Sequence, residues 1–187
     1  MSTFETLQDR IPDYARDLRL NLRTVLTKDG APGLTTQQIW ALALASAQAA
    51  RNRELFAAIE QAAGEQLDAA YRRAALTAAA LMGMNNVYYR FLHLVEDAEY
   101  SGMPARLRMN AIANPGIPPA DFELLSLAVS AINGCGLCIT SHERQLRKHE
   151  VSREAIQSAV RIAAVVHGVA VALEAVSGQF VATERAA

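Results

Sequence analysis

No stretch of this chain alternates apolar and polar residues with a period of two, whereas alanine, leucine and other good helix formers recur at three- and four-residue spacing along most of it. A half-buried strand requires the first pattern and an amphipathic helix the second, so the chain is restricted to an all-α fold. Its 187 residues, 51% of them hydrophobic, suffice for one substantial core and give no sign of a second. Residues 1–187 therefore read as a single domain.

Start and stop signals place the helices. Pro12 suits the first turn of a helix that carries Tyr14, Leu18, Leu22 and Val25 and ends near Lys28-Asp29-Gly30. Thr35, with Gln38 three residues on, forms a capping box for a helix from Thr36 to Ala49. Asn52 caps the next, to about Ala63, and Asp68 a long one to about Val95. The Pro- and Gly-rich segment from Ser101 to Pro119 is the main connector, with a short helix expected at Ala105 to Ala111. Pro118-Pro119 opens a helix over Asp121 to Asn133, and Gly134 breaks it. A further helix begins at the cysteine-bearing residues beyond and runs to about His149, and Ser152 caps the last, which ends near Ser177-Gly178. Aligning Ala45-Ser46-Ala47 with Val129-Ser130-Ala131 also aligns Leu67-Asp68 with Val151-Ser152, so two related helical halves are expected, about 36–95 and 120–177. In that register Arg51, Glu54 and Ala58 stand where the second half has Cys135, Cys138 and His142, which makes the first half scaffold.

The formal net charge of −1, without any long Lys/Arg block, lacks the electrostatic footprint of a nucleic-acid or anionic-membrane binder. Met1 to Thr6 lack the basic and apolar regions of a signal peptide, and Arg161, His167 and Glu174 interrupt the longest apolar runs before spanning length. The expectation is a soluble, cytoplasmic protein with no nucleic-acid and no membrane partner. In that compartment a lone Cys-x-x-Cys is catalytic or metal-binding more often than structural. Structural zinc needs about four ligands, which no second Cys/His pair supplies.

Both cysteines lie in Asn133-Gly134-Cys135-Gly136-Leu137-Cys138, followed by Ser141-His142-Glu143. A disulfide here closes so short a loop that chain entropy contributes only about 2 kcal/mol, against about 4.7 kcal/mol for a loop of about 100 residues. Stability is a poor reason for the pair; opening and closing during turnover is a better one. With Cys135 in the first turn of its helix, Cys138 and His142 fall on the same face, His142 one turn beyond Cys138. The two cysteine Cα atoms then lie about 5 to 6 Å apart, within disulfide range. A helix N-terminus favours thiolate, and the imidazole can accept the thiol proton. In the preceding helix Glu123, Ser126, Ser130 and Asn133 form a narrow polar stripe leading toward the cysteines. A carboxylate placed there can orient His142 and take its proton, giving the relay Glu123, His142, Cys138.

The run Arg108-Met109-Asn110-Ala111-Ile112-Ala113-Asn114-Pro115-Gly116-Ile117-Pro118, then Phe122-Glu123-Leu124, then Ser130 to Cys138 with Ser141-His142-Glu143, closely resembles the AhpD family of alkylhydroperoxidases, within the carboxymuconolactone-decarboxylase-like superfamily. Met82-Gly83-Met84-Asn85-Asn86-Val87-Tyr88-Tyr89-Arg90 is similar to that family's first-half signature. The resemblance implies an all-helical homotrimer that reduces hydroperoxides with no bound cofactor, neither metal nor flavin. It implies electrons from a dihydrolipoamide-type dithiol on a lipoyl-bearing protein, and a link to the peroxiredoxin AhpC. Position by position, Glu123, Cys135, Cys138 and His142 match the family's active-site residues, with Cys135 and Cys138 as the redox disulfide. Where the mycobacterial-type motif has a second histidine immediately before the second cysteine, this chain has Leu137, which leaves His142 as the sole candidate base.

The chemistry expected is that of thiols. A Cys138 thiolate attacks a peroxide oxygen and becomes a sulfenic acid, Cys135 condenses with it to a disulfide, and an external dithiol reopens the pair. Three other readings stand beside it: a thiol–disulfide adaptor that only reduces a peroxiredoxin, a carboxymuconolactone decarboxylase-like enzyme that does not need both cysteines, and a purely structural helical oligomer. Of the remaining residues, Met82, Met84, Tyr88 and Tyr89 read as core or subunit contact, and Ser126, Ser130 and Asn133 as small residues permitting close packing. Trp40 reads as a packing anchor, and His93, His149 and His167 as polar-face, helix-end and core histidines.

Overall fold

Side-chain caps fix where several of the helices begin. The computed structural model describes residues 3–184, and these form α1 (Thr3–Asp9), α2 (Arg16–Val25), α3 (Thr36–Ala50), α4 (Arg53–Ala63), α5 (Ala69–Val95), α6 (Ala98–Gly102), α7 (Asn110–Ala113), α8 (Pro119–Ile132), α9 (Gly136–Lys148) and α10 (Arg153–Glu184), with no strand among the described residues. The Thr35 hydroxyl accepts from the Gln38 N–H at 3.2 Å while the Gln38 side chain accepts from the Thr35 N–H at 2.7 Å, the reciprocal box expected at the start of α3. Asn52 accepts from the Leu55 N–H (2.8 Å), Asp68 from the Tyr71 N–H (2.9 Å) and Ser152 from the Ala155 N–H (3.1 Å). Each such cap stabilises its helix by about 1 kcal/mol.

Short elements depart from the sequence expectation. α1 is unforeseen; it docks through Phe4, whose ring meets Trp40 edge-on at 6.2 Å, and through buried Leu7. Pro12 precedes a single 3-10 turn, Asp13–Ala15, and α2 begins only at Arg16 and ends at Val25, before the expected Lys28-Asp29-Gly30. The connector holds α6, capped by Asp97, and α7 at Asn110–Ala113 rather than at 105–111. At the far end α10 continues through Ser177-Gly178 to Glu184. A glycine inside a helix costs roughly 1 kcal/mol relative to alanine, too little to stop one that is otherwise well supported.

Two helices form the centre. α3 is buried at every position from Ile39 to Ala47, and α8 at every position from Asp121 to Ser130 except Glu123. A helix apolar around its circumference needs neighbours on all sides, and α3 and α8 pack on each other with α5 and α10 each against both. α4 flanks α3, and α9 flanks α8. A central, a shorter flanking and a long helix thus follow in the same order in each half. Arg153–Val176 of α10, 24 residues, is by length and composition alone long and apolar enough to cross a bilayer, despite the interruptions at Arg161, His167 and Glu174. Its apolar positions are used internally: Ala155, Ala159, Ile162, Val166, Val169 and Leu173, at helical spacing, are buried, and α10 packs on α2, α3 and α8. The intervening positions carry Arg161 and His167 outward, so His167 is exposed rather than a core residue.

A partly buried polar knot joins the central layer. Asp121, in the first turn of α8, accepts from the Gln38 side chain of α3 (2.6 Å) and from the Tyr71 hydroxyl of α5. Burial, and then the Asp121 carboxylate, push the Tyr71 hydroxyl well above its ordinary range, so it remains a donor under any physiological condition.

Candidate active site

The junction of α8 and α9 is a turn in which every closing group has a partner. Gly134 takes φ +68°, its N–H donates to the Ala131 carbonyl (3.2 Å), and the Cys135 N–H donates to the Ser130 carbonyl (3.2 Å). These are the two bonds of a Schellman motif, which satisfies carbonyls left open at a helix end. Cys135 thereby closes α8 and is at once the N-cap of α9, with its Sγ accepting from the Cys138 N–H at 3.3 Å. The sequence spacing put Cys135 in the first turn; it stands one position earlier, because the left-handed glycine ends one helix and leaves the next residue extended at φ −92° and ψ 92°. The three-residue separation still serves: the Cα atoms are 5.3 Å apart and the two sulfurs are joined in a disulfide. A Cβ at Gly134 would meet nothing within 4 Å, so Gly134→Ala carries only the conformational cost of the left-handed region. We expect its urea midpoint to fall by an amount equivalent to about 1 kcal/mol, with unchanged m-value.

α5 grips this turn from beneath. The Asn86 amide donates to the Ser130 hydroxyl (2.9 Å) and accepts from the Asn133 amide (2.9 Å), and Arg90 donates to the Asn133 carbonyl at 2.6 Å. Ser130 and Asn133, read from sequence as small packing residues, are therefore members of a hydrogen-bonded network. Ser126 is buried as expected of a packing residue, and its hydroxyl has no partner.

Glu123, the single position of the buried stretch of α8 that is not fully enclosed, meets His142 of α9. The His142 Nδ1–H donates to Glu123 Oε2 at 2.6 Å, with the side chains 16% and 18% exposed. A carboxylate can only accept, so it fixes the tautomer that carries hydrogen on Nδ1 and leaves Nε2 as the open nitrogen. Cys138 and His142, one turn apart on α9, line a single cleft of about 440 Å³, with Leu137 and Ser141 beside them. Met82, Asn85 and Tyr89 of α5 and Met109 and Ile112 around α7 form its other walls. Cys138 is 8% exposed and Cys135 is fully buried behind it. Glu123 does not line the cleft; it backs the imidazole.

The structure thus brings Cys135, Cys138, His142 and Glu123 into one constellation and places Leu137 on its rim. Met82, in the core as expected, and Tyr89, expected as core or subunit contact, are also cleft walls. Asn85, Met109 and Ile112 were not read as site residues. All three lie within stretches quoted for the family likeness, and Asn85 is marked further by the adjacent Asn86 in an otherwise largely apolar stretch of helix. His93 is exposed and His149 is the C-cap of α9, as expected for a polar-face and a helix-end residue. Another cleft, of about 500 Å³, is lined by Arg51, Phe56 and Leu76 of the first half and contains no nucleophilic side chain.

A cysteine pair at a helix start, backed by an imidazole and a carboxylate and opening on a largely apolar cleft, is the site of a thiol-based oxidoreductase built on helices alone. The carboxymuconolactone decarboxylase family model matches residues 98–177, from α6 into α10. The protein named alkyl hydroperoxide reductase AhpD of Frankia alni is 56% identical over 173 residues, covering 92% of each chain. Proteins of the same name from Rhodospirillum centenum and Coxiella burnetii are 54% and 55% identical, over 95% and 89% of this chain and 95% and 94% of theirs. The chain belongs to the AhpD family.

Proposed function

We propose that this protein is an alkyl hydroperoxide reductase that uses Cys135 and Cys138 as a two-electron redox couple. The observation that carries the reading is the disulfide between them, whose Cys138 lines one cleft together with the Glu123-backed His142. In the reduced protein, His142 Nε2 takes the Cys138 thiol proton, and the resulting imidazolium is stabilised by Glu123 through Nδ1–H. The thiolate attacks the terminal oxygen of R–O–O–H. The O–O bond breaks, the departing alkoxide takes the proton from His142 as R–O–H, and Cys138 is left as S–O–H. The Cys135 sulfur then attacks Cys138, and the hydroxyl leaves with the Cys135 proton as water.

Because Cys138 lines the cleft while Cys135 is fully buried, a reducing thiolate attacks Cys138 and expels Cys135; a second thiol on the same reductant completes the exchange. A dihydrolipoamide-type dithiol on a lipoyl-bearing protein fits that requirement, since it closes its own ring as it leaves. No bound cofactor takes part in these steps. The family relationship supports work alongside the peroxiredoxin AhpC, and a reducing cytoplasm suits a couple that must be returned to dithiol. Self-association, as a homotrimer on the family resemblance, is supported by the apolar positions Val87, Phe91 and Leu94 of α5, which are 60%, 44% and 71% exposed on the isolated chain.

The test is to titrate free thiols before and after one equivalent of cumene hydroperoxide, then to follow their recovery by stopped flow. Loss of both thiols and faster recovery with dihydrolipoamide than with glutathione or thioredoxin is the expected result. No loss of thiols would sink the reading, and equal recovery with all three reductants would remove the dedicated lipoyl partner.

A further inference from the structure

Among the described residues, Asn85 is the one side chain lining the cleft that has a buried polar atom without a partner. It is 5% exposed, it lines the cleft with Cys138 and His142, and its Oδ1 is buried without a hydrogen-bond partner. Its neighbour Asn86 provides the contrast: equally enclosed, it gives and receives a hydrogen bond in the network under the α8–α9 turn. A buried acceptor without a donor is costly, and asparagine is a weak helix former, so neither packing nor helix propensity explains an amide here. The other buried oxygens without partners, on Ser46 and Ser126, belong to hydroxyls outside the cleft.

The substrate class supplies what Asn85 lacks. A hydroperoxide has a single donor, the O–H on its terminal oxygen, which is the atom the thiolate must reach. We propose that Asn85 Oδ1 accepts this O–H and so turns the terminal oxygen toward Cys138, while the alkyl group rests against Met82, Tyr89, Ile112 and Leu137. The inference rests on the hydroperoxide-reductase reading above. It adds a substrate-holding group on α5, opposite the α9 face that carries the sulfur and the imidazole. In the reaction the terminal oxygen keeps its hydrogen: the O–O bond breaks, the S–O bond forms, and His142 protonates the departing alkoxide. The hydroxyl held by Asn85 in the substrate is therefore the hydroxyl of the sulfenic acid, so the contact is kept across the step. An amide oxygen that only accepts gives no such hold on a dialkyl peroxide, which has no donor.

Asn85→Leu replaces the amide with an apolar group of similar size and removes the unpaired acceptor. Fully reduced wild type, Asn85→Leu and Asn85→Ala are to be compared in two reactions: thiol oxidation by cumene hydroperoxide under single-turnover conditions, and alkylation of Cys138 by iodoacetamide followed by peptide mass. The expected result is a loss of roughly tenfold or more in the peroxide rate constant, corresponding to one lost hydrogen bond in the transition state. Alkylation should be unchanged, and the melting temperature of Asn85→Leu equal to or above that of wild type. If Asn85→Leu does not fold, Asn85→Ala gives the same comparison. Wild-type peroxide rates in the variant would overturn the inference. So would parallel losses in both reactions, which assign Asn85 to the state of the thiol instead. Wild type that ignores peroxide overturns the enzyme reading itself, a separate outcome.

Discussion

Cys138→Ser is expected to abolish thiol oxidation by hydroperoxide, whereas Cys135→Ser retains one rapid oxidation that stops at a sulfenic acid. The asymmetry follows from position. Cys138 lines the cleft and is the sulfur within one helical turn of His142, while Cys135 is fully buried behind it with its Sγ facing the Cys138 N–H. Removing Cys138 deletes both the reachable nucleophile and the sulfur that would carry oxygen. Removing Cys135 deletes only the thiol that resolves the sulfenic acid. Intact-mass measurement after one equivalent of peroxide separates the cases: Cys135→Ser gains one oxygen atom and reacts with dimedone, and Cys138→Ser gains nothing. If Cys138→Ser takes up the oxygen instead, the assignment of attacking and resolving sulfur is reversed.

His142→Gln is expected to slow peroxide oxidation of the dithiol by about 10²- to 10⁴-fold, the usual contribution of a positioned acid–base group. Glutamine retains hydrogen-bonding capacity but cannot carry the proton from Cys138 to the alkoxide. With Leu137 at the position before Cys138, the cysteine motif provides no second imidazole to substitute. Glu123→Gln should cost less. Its side-chain oxygen still accepts from Nδ1–H and keeps the tautomer, and only the charge opposing the imidazolium disappears. Single-turnover rate constants for the two variants give the ordering. A larger loss at Glu123 than at His142 would mean that the carboxylate, not the imidazole, handles the proton.

Legibility in the sequence tracked the range of the forces involved. The capping box at Thr35 and Gln38 and the caps at Asn52, Asp68 and Ser152 are local hydrogen bonds written in two or three residues, and they appear where expected. α1, α6 and α7 are too short to develop a period; α1 is held by tertiary contacts such as Phe4 on Trp40, which no local pattern announces. His167 was misplaced because its sequence neighbours are apolar, although the helical period turns its own side chain to the outer face of α10. Within the site, the common face of Cys138 and His142 follows from their spacing. The pairing of His142 with Glu123 required two helices to meet, and was suggested only by a polar stripe and a family likeness. Asn85 lay beyond reach for the same reason: an unsatisfied amide is recognised only once its surroundings are known.

The double duty of Cys135, last residue of one helix cap and first of the next, bears on how the protein survives its own substrate. The bonds that place it run from backbone groups of Ser130 and Cys138, and none of them requires the disulfide. Reduced or oxidised, the two cysteines are thus held as neighbours, and closure from the sulfenic acid needs little chain rearrangement. Well-oriented intramolecular partners react as if present at roughly 10⁵ M or more. A second hydroperoxide, present at ordinary cellular concentration, cannot compete with such a neighbour for the same sulfur. On the proposed mechanism the turn is a safeguard against irreversible oxidation to sulfinic acid, returning the protein after each turnover to a state that a dithiol can reset.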